Sequence, residues 1–251
     1  MYQEIKTIED LSLNAWPSYQ MQVYDGWILR YSYFYTCRTN SVELIGSSAL
    51  PLEEKIPYCE GIYRRWQTPC LFKISPVSDH LSPSLEGELM ARGYRICHET
   101  DVMVRSLADL PEVGETPLTI GNRVSYTWLQ GLFDLKEMTD IHHLRVVPAM
   151  YEAIPKDVIA VYYAPEDRVL ATGLGILDRD YIGIYAIHVD PSVQRRHIGH
   201  DIVATLMREG KKRGAEKAYL QVVSGNDPAI ALYHSLGMEK LYDYRFRIKE
   251  V

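Results

Sequence analysis

Residues Ile187–His200 read IHVDPSVQRRHIGH. A strand ends, Pro191 breaks it, and a short loop carrying Arg195 and Arg196 enters a helix with Gly199 in its first turn. A helix N-terminus presents unpaired backbone N–H groups and the positive end of the helix dipole, so this junction suits a phosphate or pyrophosphate. Gly199 lets the backbone approach such a group closely. The chain has neither G-x-x-x-x-G-K-[ST] nor a strand–G-x-G-x-x-G–helix turn, which disfavours a nucleotide triphosphatase or a Rossmann site.

Elements alternate outward from this junction. Downstream, Ile198, Ile202, Val203 and Leu206 repeat at helical spacing, which predicts a helix over Ile198–Gly214. Lys211, Lys212 and Arg213 complement the dipole at its end, and Gly214 suits a left-handed cap. A strand, Lys217–Val223, and a helix, Pro228–Leu236, follow, with Asn226 or Asp227 as the helix cap. Upstream, a helix is expected over Trp128–Val147 with Pro148 just past its end. Strands at Val158–Ala164, Val169–Leu177 and Tyr181–Val189 are joined by short turns and imply an antiparallel meander.

These residues carry a family resemblance. The second half resembles the GNAT superfamily of acetyl-CoA-dependent N-acetyltransferases. The family's strand-and-loop signature, roughly L-x-V-x-P-x-x-[QR]-x-x-G-x-[GA], falls on Ile187, Val189, Pro191, Gln194, His197 and Gly199. A second signature, N-x-x-A-x-x-L-Y-x-x-x-G-[FM], falls on Asn226, Ala229, Leu232, Tyr233, Gly237 and Met238. One helix and one strand separate the two, as in the family. The resemblance covers residues 117–251.

The resemblance implies a set of roles. The edge of Tyr181–Val189 pairs with the pantetheine arm of acetyl-CoA, so Ile187 and Val189 border the cofactor. The amides of Arg195, Arg196, His197, Ile198, Gly199 and His200 hold the pyrophosphate, and Gln194 belongs with the cofactor-binding residues. Asn226 binds the cofactor arm, and Tyr233 stands near the thioester sulfur as the general acid; a phenol with an ordinary pKa of ~10 is protonated at neutral pH. The acceptor is a primary amine of a small molecule or peptide that attacks the thioester directly, and no metal is required. Strand alternation puts Tyr185 on the same side as Ile187 and Val189 and turns His188 away, so Tyr185 is the candidate base or water relay. The adjacent pair His142 and His143 reads as exposed polar surface. His197 departs from the family, which has glycine there. A side chain at that position could obstruct the pyrophosphate, and this motivates an alternative reading as a non-catalytic acyl-CoA-binding or regulatory module.

The first half carries no copy of the loop. Its segment DGWILRYSYFYTCRTNSVEL resembles the degenerate leading half of tandem GNAT proteins. That resemblance implies a GNAT-like topology without CoA binding, with Trp27, Arg30, Arg38 and Asn40 as candidate substrate contacts. Ser84–Arg92 runs into Gly93 and then a strand, and the helix ending at Gly237 does the same, so the two halves share a helix–Gly–strand ending. The seam is Ser106–Pro117, SLADLPEVGETP, rich in proline, glycine and acid. The expected organisation is therefore a degenerate GNAT-like domain over 1–106, a linker over 107–116 and an N-acetyltransferase domain over 117–251. Each domain is of mixed α+β class, with a mostly antiparallel sheet flanked by helices.

Composition bounds the remaining choices. The chain has 251 residues, 47% of them hydrophobic, and its formal net charge is −6. An acidic protein is a poor non-specific binder of nucleic acid, and no apolar run approaches the ~20 residues that span a bilayer. The start of the chain has no signal or transit pattern, so a cytoplasmic protein is expected. Residues 1–115 hold 10 Lys/Arg against 16 Asp/Glu, whereas residues 116–251 hold 17 of each. The acidic excess of the first half is compatible with a cationic amine substrate and equally with a solvated acidic face. Cys37, Cys59, Cys70 and Cys97 have no zinc-like spacing and read as core residues.

Overall fold

Strands from both halves of the chain enter one mixed sheet in a computed structural model that describes residues 1–251. The first half runs α1 (Tyr2–Ala15), β1 (Gln20–Tyr24), β2 (Trp27–Tyr31), β3 (Val42–Leu44), α2 (Leu52–Arg65), β4 (Cys70–Ile74), α3 (Pro76–Leu81), α4 (Leu85–Ala91) and β5 (Arg95–Ser106). The second runs β6 (Leu118–Gly121), α5 (Tyr126–Leu135), α6 (Ile141–Glu152), β7 (Asp157–Tyr163), β8 (Ala171–Asp178), β9 (Tyr181–Val189), α7 (Ile198–Lys212), β10 (Lys217–Val223), α8 (Asp227–Ser235) and β11 (Glu239–Lys249). The strand order is β1-β2-β3-β4-β11-β5-β10-β9-β8-β7-β6. This is the expected mixed α+β architecture, with the two halves sharing a single sheet.

The two halves exchange their last strands. β11 ends the second half but pairs with β4 of the first, from Arg245↔Ile74 to Lys249↔Cys70. β5 ends the first half but pairs with β10 of the second, from Lys217↔Ser106 to Val223↔Thr100. The exchanged strands also pair with each other. Both belong to the matching helix–Gly–strand units, and both glycines take left-handed backbone: φ is 83° at Gly93 and 74° at Gly237. Glu86 on α4 accepts hydrogen bonds from Arg245 and Arg247 on β11, which fastens the crossing. The seam residues 107–117 form no helix or strand.

β7, β8 and β9 form the expected meander. Ile202, Val203 and Leu206 of α7 are fully buried in the largest apolar cluster, against Ile182 and Ile184 of β9. Each such side chain contributes roughly 1.5–3 kcal/mol. Helix and sheet approach so closely that a Cβ on Gly173 would lie 2.4 Å from Ile202, and one on Gly210 would lie 2.8 Å from Ile182. The opposite face is covered by Trp128, Leu132 and Phe133 of α5 and by Val146, Val147 and Met150 of α6, together with Trp16 just beyond α1.

The stretch expected as one helix over Trp128–Val147 is two. Glu137 takes left-handed backbone with φ 49°, and Asp140 caps α6 by accepting from the amides of His142 and His143. Pro148 lies inside α6, not beyond its end. Among the cysteines, Cys59 and Cys70 are core residues, whereas Cys37 and Cys97 are only half-buried. No helix is long and apolar enough to cross a membrane.

Candidate active site

β9 and β10 begin as parallel neighbours and then separate. Their pairing runs from Lys217↔Tyr181 to Leu220↔Ile184 and stops, although both strands continue. Beyond Ile184 the edge of β9 toward β10 is therefore unpaired backbone, a template for an extended ligand. β9 also carries a bulge. Thr172↔His188 is followed by Leu174↔Tyr185, so Ala186 and Ile187 oppose the single residue Gly173, and Ala186 has φ 50°.

The bulge reverses the expected facing of Tyr185. Ile187 and Val189 pack with the α7 cluster, while Tyr185 packs with the clusters on the other face. Tyr185 and His188 consequently line the same cavity, of about 250 Å³, which opens between the separating strands. Alternation across the whole strand does not hold, because one extra residue shifts the parity.

The loop after β9 is open to a ligand. Asp190 accepts from the amide and the hydroxyl of Ser192, and the side-chain amide of Gln194 donates to the carbonyl of Val189 at 3.3 Å. Arg195 and His197 both take left-handed backbone, with φ 61° and 62°. None of the amides from Arg195 through His200 has a protein acceptor. Arg195, Arg196 and His197 are exposed, whereas the side chain of Ile198 is buried in the core, leaving only its amide to the loop. A Cβ on Gly199 would lie 3.3 Å from Leu232 and 3.5 Å from Val189, a tight fit. Asp201, which the motifs did not single out, is buried in the first turn of α7. It accepts from the amide of Gly114 and the hydroxyl of Thr116, tying the seam to the helix start. Burial opposes its ionisation, but hydrogen bonds from Thr116, His200 and Gly114 outweigh it and hold the carboxyl below the usual range.

This loop, Ile187, Val189 and the start of α8 line a groove of about 740 Å³. The groove and the strand-gap cavity share Ile187, Asn226, Ala229 and Tyr233. Asn226 accepts from the Ala229 amide at 3.4 Å and so caps α8. Tyr233 is 8% exposed, its hydroxyl makes no hydrogen bond to protein, and burial pushes its pKa up to about 12. The phenol is therefore a donor at every physiological pH.

The cavity on the other side of Tyr233 has a first-half wall of Trp16, Tyr35, Thr36 and Arg38. Arg38 donates to Gln221 at 3.2 Å, and Lys136 donates to the Tyr35 hydroxyl at 2.8 Å. Tyr185 is half-buried, with its hydroxyl 2.7 Å from that of Tyr219, and desolvation pushes its pKa up to about 12. Its phenol is held protonated at neutral pH. His188 moves the other way: burial, then the charge of Lys136, lower its pKa to about 4, so the imidazole is neutral at pH 7.

Of the four first-half candidates, Arg38 alone lines this cavity. Trp27 is fully buried in the first-half core with the Lys55 ammonium over its ring. Arg30 is buried in an ion pair with Glu43 and donates to the Arg38 carbonyl. Asn40 is buried and spends its side chain on the Ser32 and Phe34 amides and the Thr36 carbonyl, shaping the loop that carries Arg38. His142 and His143 are not bare surface. His142 stacks on Tyr33 at 4.8 Å, and a ring nitrogen of His143 lies 2.8 Å from the Tyr33 carbonyl, so the pair docks the same loop.

Comparison with known proteins gives a consistent set of relatives. A family model described as "Probable histone acetyltransferase Rv0428c C-terminal" matches residues 3–247. The chain is 24% identical over 253 residues to "Uncharacterized N-acetyltransferase YobR" of Bacillus subtilis, covering 98% of this chain and 99% of that protein. A GCN5-related N-acetyltransferase from Kribbella flavida superposes with a TM-score of 0.68 at 15% identity, covering 99% of this chain and 95% of the other. A tandem GNAT protein from the clavulanic acid biosynthesis pathway superposes with a TM-score of 0.63 at 11% identity, covering 84% and 75%. At such identities the structural likeness speaks for the fold.

Proposed function

The chain belongs to the Rv0428c C-terminal acetyltransferase family within the GNAT superfamily, and from that membership we propose that it transfers an acetyl group from acetyl-CoA to a primary amine. N-acetyltransferase activity follows from the family; the donor, the acceptor class and the residue roles are the proposal. The observation that carries it is the meeting of two cavities at Tyr233: an open-amide groove on one side and the cleft between the separating strands on the other.

The amides from Arg195 to His200 fit a pyrophosphate, because they are unpaired donors at the positive end of α7, flanked by two arginines. The unpaired edge of β9 fits the peptide-like pantetheine arm. When bound, acetyl-CoA supplies an activated acyl carbon and a thiolate leaving group. Tyr233 donates a hydrogen bond toward the sulfur as negative charge develops there. His188, neutral at pH 7, accepts a hydrogen bond from the amine nitrogen and orients it, and because its lowered pKa makes it a weak base the proton passes on to solvent. The Tyr185–Tyr219 pair acts as a relay of protonated hydroxyls beside it. The amine attacks the thioester directly, without an acyl-enzyme. In this reading residues 117–251 bind the donor, and residues 1–106 contribute a wall of the acceptor cleft.

Thiol release from acetyl-CoA, followed across a panel of amines, tests the reading. Release with some amine, slowed strongly in Tyr233→Phe, is expected. Absence of release with every amine overturns it.

A further inference from the structure

Arg38 and Lys136 face the acceptor cleft from opposite halves of the chain, and neither forms an ion pair with a carboxylate. No Asp or Glu lines the cleft at all. The first half is acidic overall, but its carboxylates are elsewhere: Glu9 and Glu43 pair with Lys73, Asp25 pairs with Lys55, and Glu86 pairs with Arg245. The charge balance of the half thus misreports the charge of its cleft.

Resting on the acetyl-transfer reading above, we propose that the acceptor is a primary amine that also carries an anionic oxygen group, a carboxylate or a phosphate ester, bound by Arg38 and Lys136.

The placement of the two cations supports this. The Arg38 guanidinium has five N–H donors, and its one protein partner is the Gln221 side chain. The Lys136 ammonium has three donors and uses one on Tyr35 while lying 4.3 Å from that ring's centroid. Arg38 is half-buried and Lys136 stands exposed at the rim of the cleft, and their unspent donors suit a bidentate or tridentate oxyanion. The two cations are close enough to feel each other: desolvation first, then the charge of Arg38, lower the pKa of Lys136. An anion between them relieves that repulsion, whereas a polyamine adds to it. The Arg38 wall is also built for precision. Arg30 donates to its carbonyl at 2.7 Å, and Asn40 holds the loop from below. The aromatic rings of Trp16, Tyr35 and Tyr151 complete an apolar wall for the rest of the acceptor.

The test compares matched probes. L-amino acids are set against their carboxamides, O-phosphoethanolamine against ethanolamine, and spermidine serves as the polycation. Thiol release is measured with acetyl-CoA, and the N-acetyl amino acids and their amides are titrated calorimetrically into CoA-saturated protein. In at least one matched pair the anionic member should show a kcat/KM at least tenfold higher, carried by KM. Which pair shows it distinguishes a carboxylate from a phosphate. Arg38→Gln and Lys136→Gln should each remove most of that preference while leaving CoA affinity unchanged. Arg38→Lys and Lys136→Arg should retain part of it. Equal or better turnover of the neutral member or of spermidine overturns the inference and leaves acetyl transfer standing. So does a preference that survives in the double Gln variant. If no amine releases thiol, acetyl transfer fails, and the titration alone decides the inference: tighter binding of the anionic product supports it, and equal binding overturns it.

Discussion

Tyr185 and His188 line one cavity although they sit three positions apart on a strand, because the bulge at Ala186 turns the chain between them. The shared environment moves their pKa values apart. Burial raises the phenol to about 12 and lowers the imidazole to about 4. The phenol stays protonated and the imidazole stays neutral across the neutral range.

The depressed pKa of His188 makes stability depend on pH. Between its ordinary value of ~6.5 and its folded value of about 4, the unfolded chain binds a proton that the folded chain does not. Stability from this group is therefore complete above pH ~6.5 and is lost as pH falls toward 4, by up to about 3 kcal/mol. Melting temperatures of wild type and His188→Gln, measured between pH 4 and 8, should converge toward the acid end. Parallel curves would count against a buried neutral imidazole.

Tyr233→Phe removes one hydroxyl that bonds to nothing in the protein, so folding should be almost untouched. The loss should appear in kcat, roughly 10²-fold, as expected for a general acid. Acetyl-CoA should still raise the melting temperature of the variant as it does the wild type. A variant with wild-type kcat would show that the phenol plays no part in the chemistry.

Much of this site was legible in local sequence. The junction at Pro191, the helix behind it and the cap at Asn226 depend on near neighbours, and the two signatures register them. The bulge was not legible, since Ala186 carries no residue signal for a left-handed φ, and parity counted through it comes out reversed. Nor were the roles of Trp27, Arg30 and Asn40. An aromatic, an arginine and an asparagine suit a cleft or a core equally, and the choice was made by Lys55, Glu43 and the Ser32–Phe34 amides. The strand exchange is likewise invisible locally, because β5 and β11 have similar patterns and nothing in either names its partner.

His197 holds a left-handed backbone at the mouth of the loop proposed above to bind pyrophosphate, at the position where the GNAT signature has glycine. A non-glycine residue there costs about 1 kcal/mol, less for histidine than for most. His197→Gly should therefore leave the fold equally stable or slightly more stable, because the relief of strain offsets the added freedom of the unfolded chain. CoA should bind several-fold more tightly as the loop closes on the phosphates. His197→Val, β-branched at the same φ, should bind CoA more weakly than wild type. Calorimetric titration of CoA into the three proteins checks the ranking.

Exchange of β5 and β11 makes the halves interdependent. Without residues 1–106, β10 loses its partner β5, and β11 loses both of its neighbours, β4 and β5. A fragment of residues 107–251 then exposes three unpaired strand edges, one on β10 and two on β11, and exposed edges invite aggregation. It also lacks the wall that carries Arg38. Expressed alone, the fragment should be insoluble or melt without cooperativity. Co-expressed with residues 1–106, it should be recovered as a complex with a single transition. A soluble, cooperatively folding fragment that binds CoA on its own would mean that β11 pairs directly with β10 in the absence of the first half.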